Sequence, residues 1–136
     1  MENEPLTEIR SAVDIVTARQ RGRALALELG FSGGEVTLIA AAISEVARNI
    51  VDHAKTGEIL MSPLSNGVSG SRKGIQIIAR DEGPGIRDVA QAMQYGYSTR
   101  KGLGVGLPGA KWLMDEFDIA SEVGRGTTIT MKKWRR

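Results

Sequence analysis

The sequence predicts an α+β fold, a two-layer sandwich in which three main helices cover one face of a mixed sheet of four to five strands. The 136 residues are 41% hydrophobic and 25% charged, which is typical of one globular domain spanning residues 1–136. Apolar residues between positions 36 and 51 recur at spacings of three and four, which indicates an amphipathic helix. The short β-branched runs occur in groups rather than alternating with helices, and this favours a sandwich over a doubly wound fold.

The first half of the chain reads as a strand followed by two helices. Residues 13–16 (Val-Asp-Ile-Val) predict a short strand, after which Thr17 caps a helix that ends before Gly30. A longer helix is predicted to start after residues 32–34 (Ser-Gly-Gly). Its apolar face comprises Val36, Ile39, Ala40, Ile43, Ala47, Ile50 and Val51.

The second half is richer in strands and in glycine, with 17 Gly in the whole chain. Strands are predicted at residues 57–62, 74–81, 119–123 and 127–132, an exposed hairpin connection at 63–74, a short helix near 88–93 and a helix at 107–117.

Composition excludes several classes of function. There is no cysteine, so disulfide scaffolds, thiolate metal sites and cysteine nucleophiles are excluded. A net charge of +2 is too balanced to indicate nucleic-acid binding. No apolar run approaches the roughly 20 residues of a membrane span, and the acidic start of the chain is unlike a signal peptide, so we expect a cytoplasmic protein. The basic residues 132–136 read either as a solvated chain end or as a phosphate patch.

Three polar residues follow one stripe of the long predicted helix. Glu45, Asn49 and His53 are spaced i, i+4 and i+8. The stripe is either ordinary polar surface or a ligand-facing edge. In the second case Glu45 is suited to general-base chemistry, and the Asn49 amide oxygen suits a hard cation such as Mg²⁺.

Glycine-rich segments supply further candidate sites. Residues 81–86 (Asp-Glu-Gly-Pro-Gly-Ile) end a buried strand and form either a turn or a pocket for a flat ring with an exocyclic amine. Residues 102–107 (Gly-Leu-Gly-Val-Gly-Leu) precede a helix and form either a flexible loop or a phosphate lid. Residues 97–101 add hydroxyls and cations beside it. Residues 124–128 read as a hairpin turn.

The order of these four segments resembles the four ATP-binding boxes of the family that contains gyrase, Hsp90, histidine kinases and MutL. The resemblance implies a Bergerat-type fold with ATP bound between helices and a mobile lid. Segments outside the boxes look like the RsbT-type switch kinases of the stressosome: residues 14–23, 42–50, 104–109, 113–117 and 133–134. One departure is residues 52–55 (Asp-His-Ala-Lys), where that branch is expected to carry tyrosine and glycine.

The resemblance implies a serine/threonine protein kinase that uses ATP and Mg²⁺. Its implied substrates are STAS-domain stressosome scaffold and antagonist proteins, and its implied output partner is an enzyme, in known systems a PP2C-type phosphatase. Glu45 would activate the acceptor hydroxyl, Asn49 would ligate Mg²⁺ and Asp81 would read adenine N6. Further ATP-binding residues implied are His53, Gly83, Gly85, Ile86, Ser98, Thr99, Lys101, Gly102, Leu103, Gly104, Val105, Gly106, Leu107 and Thr127.

Two other interpretations remain. One is a non-catalytic, ATP-gated module, similar to an anti-sigma factor, that sequesters a protein partner; the presence of Glu45 favours the enzyme over it. The other is a fragment of a histidine kinase. The one histidine of the sequence, His53, lies within the Asn49 box, so the phospho-acceptor helix of such a kinase has no counterpart here.

Overall fold

The computed structural model describes residues 6–93 and 106–136. The strands are β1 (Leu6–Ile9), β2 (Gly57–Asn66), β3 (Arg72–Asp81), β4 (Glu116–Glu122) and β5 (Gly126–Trp134). The helices are α1 (Ala12–Glu28), α2 (Gly33–Asn49), α3 (Val89–Ala92) and α4 (Gly106–Leu113), with a π-helical turn at Ile50–Ala54 and a 3₁₀ turn at Val68–Gly70.

The five strands form one sheet in the order β1-β2-β3-β5-β4. All four strand pairings are antiparallel, so the expectation of a mixed sheet is wrong. Hairpins join β2 to β3 and β4 to β5, and α1 and α2 lie between β1 and β2 in the sequence. β3 and β5 are neighbours although β4 lies between them in the sequence. The register aligns Gly57 with Asp81 and Asp81 with Thr127, and therefore brings three sequence segments together at one end of the sheet.

The helices pack on one face of the sheet, as predicted. Ile59, Ala79 and Ile129 share one cross-strand row and are buried in the same cluster as the α2 side chains of Ile39 and Ile43. Full burial of one such side chain contributes about 1.5–3 kcal/mol. The alternate residues point to the opposite face, where no helix of the described residues lies. No helix within residues 6–93 and 106–136 is long and apolar enough to cross a bilayer.

Helix α2 follows its predicted pattern closely, because its signals are local. Ser32 is the N-cap and forms a capping box with Glu35: the Glu35 backbone N–H donates to Ser32 Oγ at 3.2 Å, and the Ser32 N–H donates to Glu35 Oε1 at 3.1 Å. The helix therefore begins at Gly33, slightly before the predicted start. Of the predicted apolar face, all but the half-buried Val51 are buried.

The predicted strand at residues 13–16 is wrong, because these residues form the first turns of α1. Ser11 rather than Thr17 is the N-cap, and the Arg10 backbone N–H donates to the Asp14 carboxylate at 2.8 Å. The β-branched run favours a strand locally, but burial of Ile15 in the helix–sheet interface overrides that preference. The first strand lies earlier, at Leu6–Ile9.

Two other boundaries differ from the prediction. The helix expected at residues 107–117 ends at Leu113, and Phe117 instead lies in β4, opposite Met131. The hairpin connection expected at 63–74 is shorter, because β2 continues to Asn66 and β3 starts at Arg72. Both strands extend their ladder past the run of apolar residues that defined the prediction. The short helix near residues 88–93 is present as α3, with Asp88 as its N-cap.

Candidate functional site

The candidate site begins where β3 ends. Asp81 is half-buried at the last position of β3, and its Oδ1 accepts a hydrogen bond from the Gly83 backbone N–H at 2.9 Å. A Cβ at Gly83 would lie 2.6 Å from the Cβ of Ala54, so only glycine lets the loop pass this close to the end of the π-helical turn. The Asp81 carboxylate is thus held in one orientation at the edge between the sheet and the helical layer.

Sequence reasoning missed Ser121, whose hydroxyl connects the loop after Asp81 to the β4–β5 hairpin. Ser121 Oγ lies 2.7 Å from Thr127 Oγ1, and it also accepts from the Ile86 backbone N–H at 2.7 Å. It donates in turn to the Gly126 carbonyl at 3.2 Å. Ser121 is the partner of Thr127 across the β4–β5 hairpin. The turn predicted at residues 124–128 is the sequence signal from which this pairing could have been found.

The β4–β5 hairpin also holds the loop that follows Asp81. The Gly124 backbone N–H donates to the Pro84 carbonyl at 2.8 Å. Gly126 has φ +124°, and a Cβ there would lie 2.1 Å from the Asp81 carbonyl oxygen. A side chain at this position is excluded both by conformation and by space. The predicted pocket residues Asp81, Gly83, Ile86 and Thr127 are therefore brought together, with Gly85 beside the Glu122 carbonyl.

Glu45 lies on the buried side of α2 and contacts the start of α4. Its Oε1 accepts a hydrogen bond from the Gly106 backbone N–H at 3.0 Å, and its Oε2 lies 3.2 Å from Arg48 Nη1. The Glu45 side chain is only 10% exposed, and a buried carboxylate needs such partners to offset its desolvation. The first residue of α4 is thereby attached to α2 about one turn before α2 ends.

The predicted stripe of three polar residues is not uniform along the helix. Glu45 is buried, Asn49 is half-buried at the last position of α2, and His53 is exposed. The spacing argument assumed α-helical geometry throughout, but a π-helical turn follows Asn49 and has more residues per turn. The side chain of Asn49 makes no hydrogen bond to any of residues 6–93 and 106–136, and so its amide is available to a ligand.

The π-helical turn ends at Lys55, which has φ +75° and ψ −47°. Residues other than glycine rarely adopt this backbone conformation, because it is strained for them. The Lys55 backbone N–H donates to the Ile50 carbonyl at 2.9 Å and closes the turn. This is the segment in which the sequence departs from the expected glycine, and the conformation explains why glycine suits it.

The end of α4 is fixed by the basic tail of the chain. Lys133 is buried, and its Nζ donates to the Leu113 carbonyl, the last of α4, at 2.9 Å. Asp115 accepts from the Trp134 backbone N–H at 2.8 Å and from Arg136 Nη2 at 2.6 Å. Arg135 Nη1 donates to the Leu29 carbonyl at the end of α1 at 3.2 Å. The tail is therefore anchored at the buried residues Lys133 and Trp134, whereas Arg135 and Arg136 are exposed and use their charges in contacts with the fold.

Most of the residues predicted for the phosphate lid lie between positions 94 and 105, outside the described residues. Ser98, Thr99, Lys101, Gly102, Leu103, Gly104 and Val105 lie outside the described residues. Of the two lid residues that are described, Gly106 begins α4 with φ +68°, and Leu107 is buried in the core. The Leu107 side chain is therefore part of the core. Only the Leu107 backbone, in the first turn of α4, lies at the end of the helix that contacts Glu45.

An open groove of about 890 Å³ lies on the other face of the sheet, and Asp81 lines its edge. Its charges largely neutralise one another: Arg80 binds Glu58 across β2 and β3, and Arg10 pairs with Glu8 at 3.0 Å. The groove includes neither Glu45 nor Asn49. The candidate site is therefore the corner between α2, the π-helical turn, the Asp81 loop and α4, not this groove.

The donor set of the corner fits a magnesium ion held jointly with a phosphate ligand. Within the described ranges, no group of three or more His, Asp or Glu side chains is placed to hold a metal by itself. Mg²⁺ takes oxygen ligands and keeps several waters, so one protein oxygen together with substrate phosphates is a sufficient set. Asn49 supplies such an oxygen.

Comparison with known proteins agrees with this geometry. The family model described as a histidine kinase-like ATPase domain matches residues 10–133. The chain is 46% identical over 136 residues to the serine/threonine-protein kinase RsbT of Bacillus subtilis, covering 100% of both chains. It is 32% identical over 120 residues to the anti-sigma F factor of Thermoanaerobacter pseudethanolicus, covering 86% of this chain and 82% of that relative.

A solved structure shares the fold. The crystal structure of the RsbU and RsbW domains of a Mycobacterium tuberculosis protein matches with a TM-score of 0.59 at 22% identity, over 97% of this chain and 33% of that one. The α+β architecture predicted from the sequence is thereby confirmed. The chain belongs to the histidine kinase-like ATPase family, and within it to the RsbT-type serine/threonine kinases of stress-signalling partner switches.

Proposed function

We propose that residues 1–136 form a single kinase domain that transfers the γ-phosphate of ATP to serine or threonine of STAS-domain stressosome proteins. The observation that supports this proposal most directly is the buried Glu45 carboxylate on α2, bonded to the first residue of α4 and one helical turn before Asn49. A carboxylate, a metal ligand and the start of a lid helix occupy one corner, and this is the set that phosphoryl transfer requires.

In this proposal, the adenine ring occupies the pocket beside the end of β3. Asp81 accepts a hydrogen bond from the exocyclic amine, and the backbone of Gly83, Gly85 and Ile86 lines the ring. Thr127 supports Asp81 from the neighbouring strand. Hydrogen bonds hold the loop at residues 82–86 against the β4–β5 hairpin. This favours the proposal, because a pocket that is already ordered loses little conformational entropy when the base binds.

The phosphates extend from this pocket towards α2 and the start of α4. Asn49 holds Mg²⁺, which neutralises phosphate charge when bound. The backbone N–H groups of residues 102–105 and of Leu107 bind phosphate oxygens, because helix N-termini and glycine-rich loops favour anions. The Gly106 N–H stays on Glu45. Side chains of His53, Ser98, Thr99 and Lys101 complete this proposed set.

Glu45 acts as general base towards the protein substrate. The acceptor hydroxyl gives its proton to the Glu45 carboxylate, its oxygen bonds to the γ-phosphorus, and the bond from that phosphorus to the bridging oxygen of ADP breaks. The Gly106 and Arg48 contacts orient the carboxylate.

The partners of the switch are proteins. The proposed acceptors are STAS-domain scaffold and antagonist proteins of a stressosome. After phosphorylation the kinase leaves them and binds and activates an output enzyme, for which a PP2C-type phosphatase is the proposed type. The name of the relative from Bacillus subtilis, a serine/threonine-protein kinase, supports the type of reaction.

The test is transfer of labelled phosphate from ATP to purified STAS-domain proteins encoded by the same genome. We expect label on serine or threonine of at least one, only with Mg²⁺ present. The expected control is an acceptor with alanine at the labelled position, which should stay unlabelled. Tight ATP binding without transfer to any STAS protein would contradict the proposal and favour a non-catalytic, ATP-gated module that sequesters a protein partner.

A further inference from the structure

Helix α1 has apolar residues on two opposite faces. Its inner face, Ile15, Ala18, Gly22 and Ala26, is buried against the rest of the fold. Its outer face carries Val13, Val16 and Leu27, which are 71%, 40% and 57% exposed. A surface helix of a globular protein normally has a polar outer face, so this second apolar face has no role in the packing among residues 6–93 and 106–136.

The outer apolar residues form one continuous stripe. At 3.6 residues per turn, Val13, Val16, Gln20, Ala24 and Leu27 lie within an arc of about 80°, and the stripe is about 21 Å long. Val13, Val16, Gln20 and Leu27 follow the spacing of a coiled-coil seam, and Arg23 occupies the remaining seam position at the edge of the stripe. A polar residue at one such position, as Gln20 is, can specify the register of a partner helix. The stripe therefore has the form of a helix-docking surface.

One flank of the stripe is basic. Arg19 and Arg23 lie four residues apart beside Val16 and Leu27, and neither makes a hydrogen bond or ion pair with any of residues 6–93 and 106–136. Elsewhere most arginines of the described residues are paired: Arg21, for example, donates to the Leu6 carbonyl and to Thr7 Oγ1 at 3.0 Å each. We propose that the outer stripe of α1 docks an amphipathic helix of a partner protein that has an apolar seam and acidic flanking residues.

A second copy of this chain is a poor occupant of the stripe. Two copies packed through it would bring the Arg19 and Arg23 pairs of both chains to one seam that holds no acidic side chain. Two single helices that touch along about 21 Å also bury far less area than the 1,200–2,000 Å² or so of a stable interface. A small contact with charge complementarity suits a partner that must be released, as a switch requires.

This inference rests on the proposed function insofar as a switch kinase must dock on proteins. The probe is a fluorescent synthetic peptide of about three heptads with Leu at the a and d positions and Glu at e and g. The comparison peptide has Lys at e and g. We expect the acidic peptide to bind about ten-fold or more tightly than the basic one, as measured by fluorescence anisotropy.

Matched variants locate the binding to α1. Val16→Gln combined with Leu27→Gln should weaken the acidic peptide about ten-fold, and Arg23→Glu should weaken it while improving the basic peptide. Val68→Gln and Lys73→Glu, an exposed apolar and an exposed basic residue away from α1, should change neither. ATP binding, measured on the same preparations, shows that each variant is folded. Phosphate transfer by the unmodified chain tests the kinase proposal separately, so the two proposals can fail independently.

Three results would overturn the docking proposal. Equal binding of the acidic and basic peptides would show that Arg19 and Arg23 do not select the partner. Unchanged binding by the Val16→Gln, Leu27→Gln variant would show that the peptide binds outside the stripe. Sedimentation showing a dimer of the chain that the double variant dissociates would assign the stripe to a second copy.

Discussion

The Glu45 carboxylate accepts a hydrogen bond from the Gly106 backbone N–H at 3.0 Å, so the proposed base is also the attachment point of α4. At the other end of α4, Lys133 Nζ donates to the Leu113 carbonyl. Both ends of this short helix therefore depend on charged side chains from other elements. Removal of Glu45 affects two things at once, the proposed proton acceptor and the start of α4, and any test of the mechanism has to separate them.

Asn49→Asp should weaken magnesium–ATP binding roughly ten-fold, because a fixed negative charge would replace a neutral ligand beside the triphosphate. Titration calorimetry with ATP and Mg²⁺ measures this directly. Asn66→Asp is the matched control, since Asn66 is exposed in the β2–β3 hairpin and lies away from the corner. Unchanged affinity in the Asn49 variant would remove this residue from the metal site.

Asp81→Asn should weaken ATP binding about ten-fold or more, because a charge-assisted hydrogen bond in a closed pocket contributes about 1.5–3 kcal/mol. GTP, which lacks the adenine amine, should lose less affinity than ATP. Asp118→Asn, an exposed residue of β4, should change neither nucleotide. If ATP and GTP affinities fall by the same factor, Asp81 does not read the base.

Ser121→Ala should destabilise the pocket corner, because Thr127 and the Ile86 N–H both lose a partner at 2.7 Å. The expected loss is about 1–3 kcal/mol in the free energy of unfolding, together with a reduced preference for ATP over GTP. Ser121→Thr keeps the hydroxyl and should restore the preference. A variant that loses stability while the preference is unchanged would make Ser121 a purely structural residue.

Lys55→Gly should stabilise the protein by about 1 kcal/mol, because it relieves the strain of a non-glycine residue at φ +75°. Urea denaturation of the two proteins measures the difference. Lys111→Gly provides the opposite control: Lys111 is exposed within α4, where glycine costs about 1 kcal/mol. Lower stability of the Lys55 variant would show that the lysine side chain makes a stabilising contribution that outweighs the strain.

The elements that could be predicted from the sequence are those whose signals are local. Helix α2 has a capping box and a regular apolar period, and both act within a few residues. The strand ending at Asp81 was equally clear, since residues 75–79 are apolar except for Gln76 and glycines lie on both sides of the strand core. The start of α1 could not be predicted in this way. The β-branched residues at 13–16 favour a strand locally, and burial of Ile15 against the rest of the fold stabilises the helix instead.

Site residues follow the same rule. Asp81, Gly83 and Thr127 were predicted because each belongs to a motif that can be read along the chain. Ser121 was missed because its role exists only when β4 pairs with β5 in one register. The contact between Glu45 and Gly106 joins residues 61 positions apart, and no spacing rule predicts it.

The central claim is that Glu45 is the base of a protein kinase, and it is tested by comparing Glu45→Gln with Glu45→Ala. The amide oxygen of glutamine can still accept from the Gly106 N–H, whereas alanine removes both the acceptor and the base. Arg48→Gln serves as a control for loss of the neighbouring ion pair.

The decisive measurement is a paired assay of ATP affinity and of the rate of phosphate transfer to a STAS protein on one preparation of each variant. The account predicts that Glu45→Gln keeps ATP affinity within a few-fold of the unmodified chain while transfer falls by about 10²–10⁴. Full transfer by Glu45→Gln would contradict the account, since the carboxylate would then serve only to hold the start of α4.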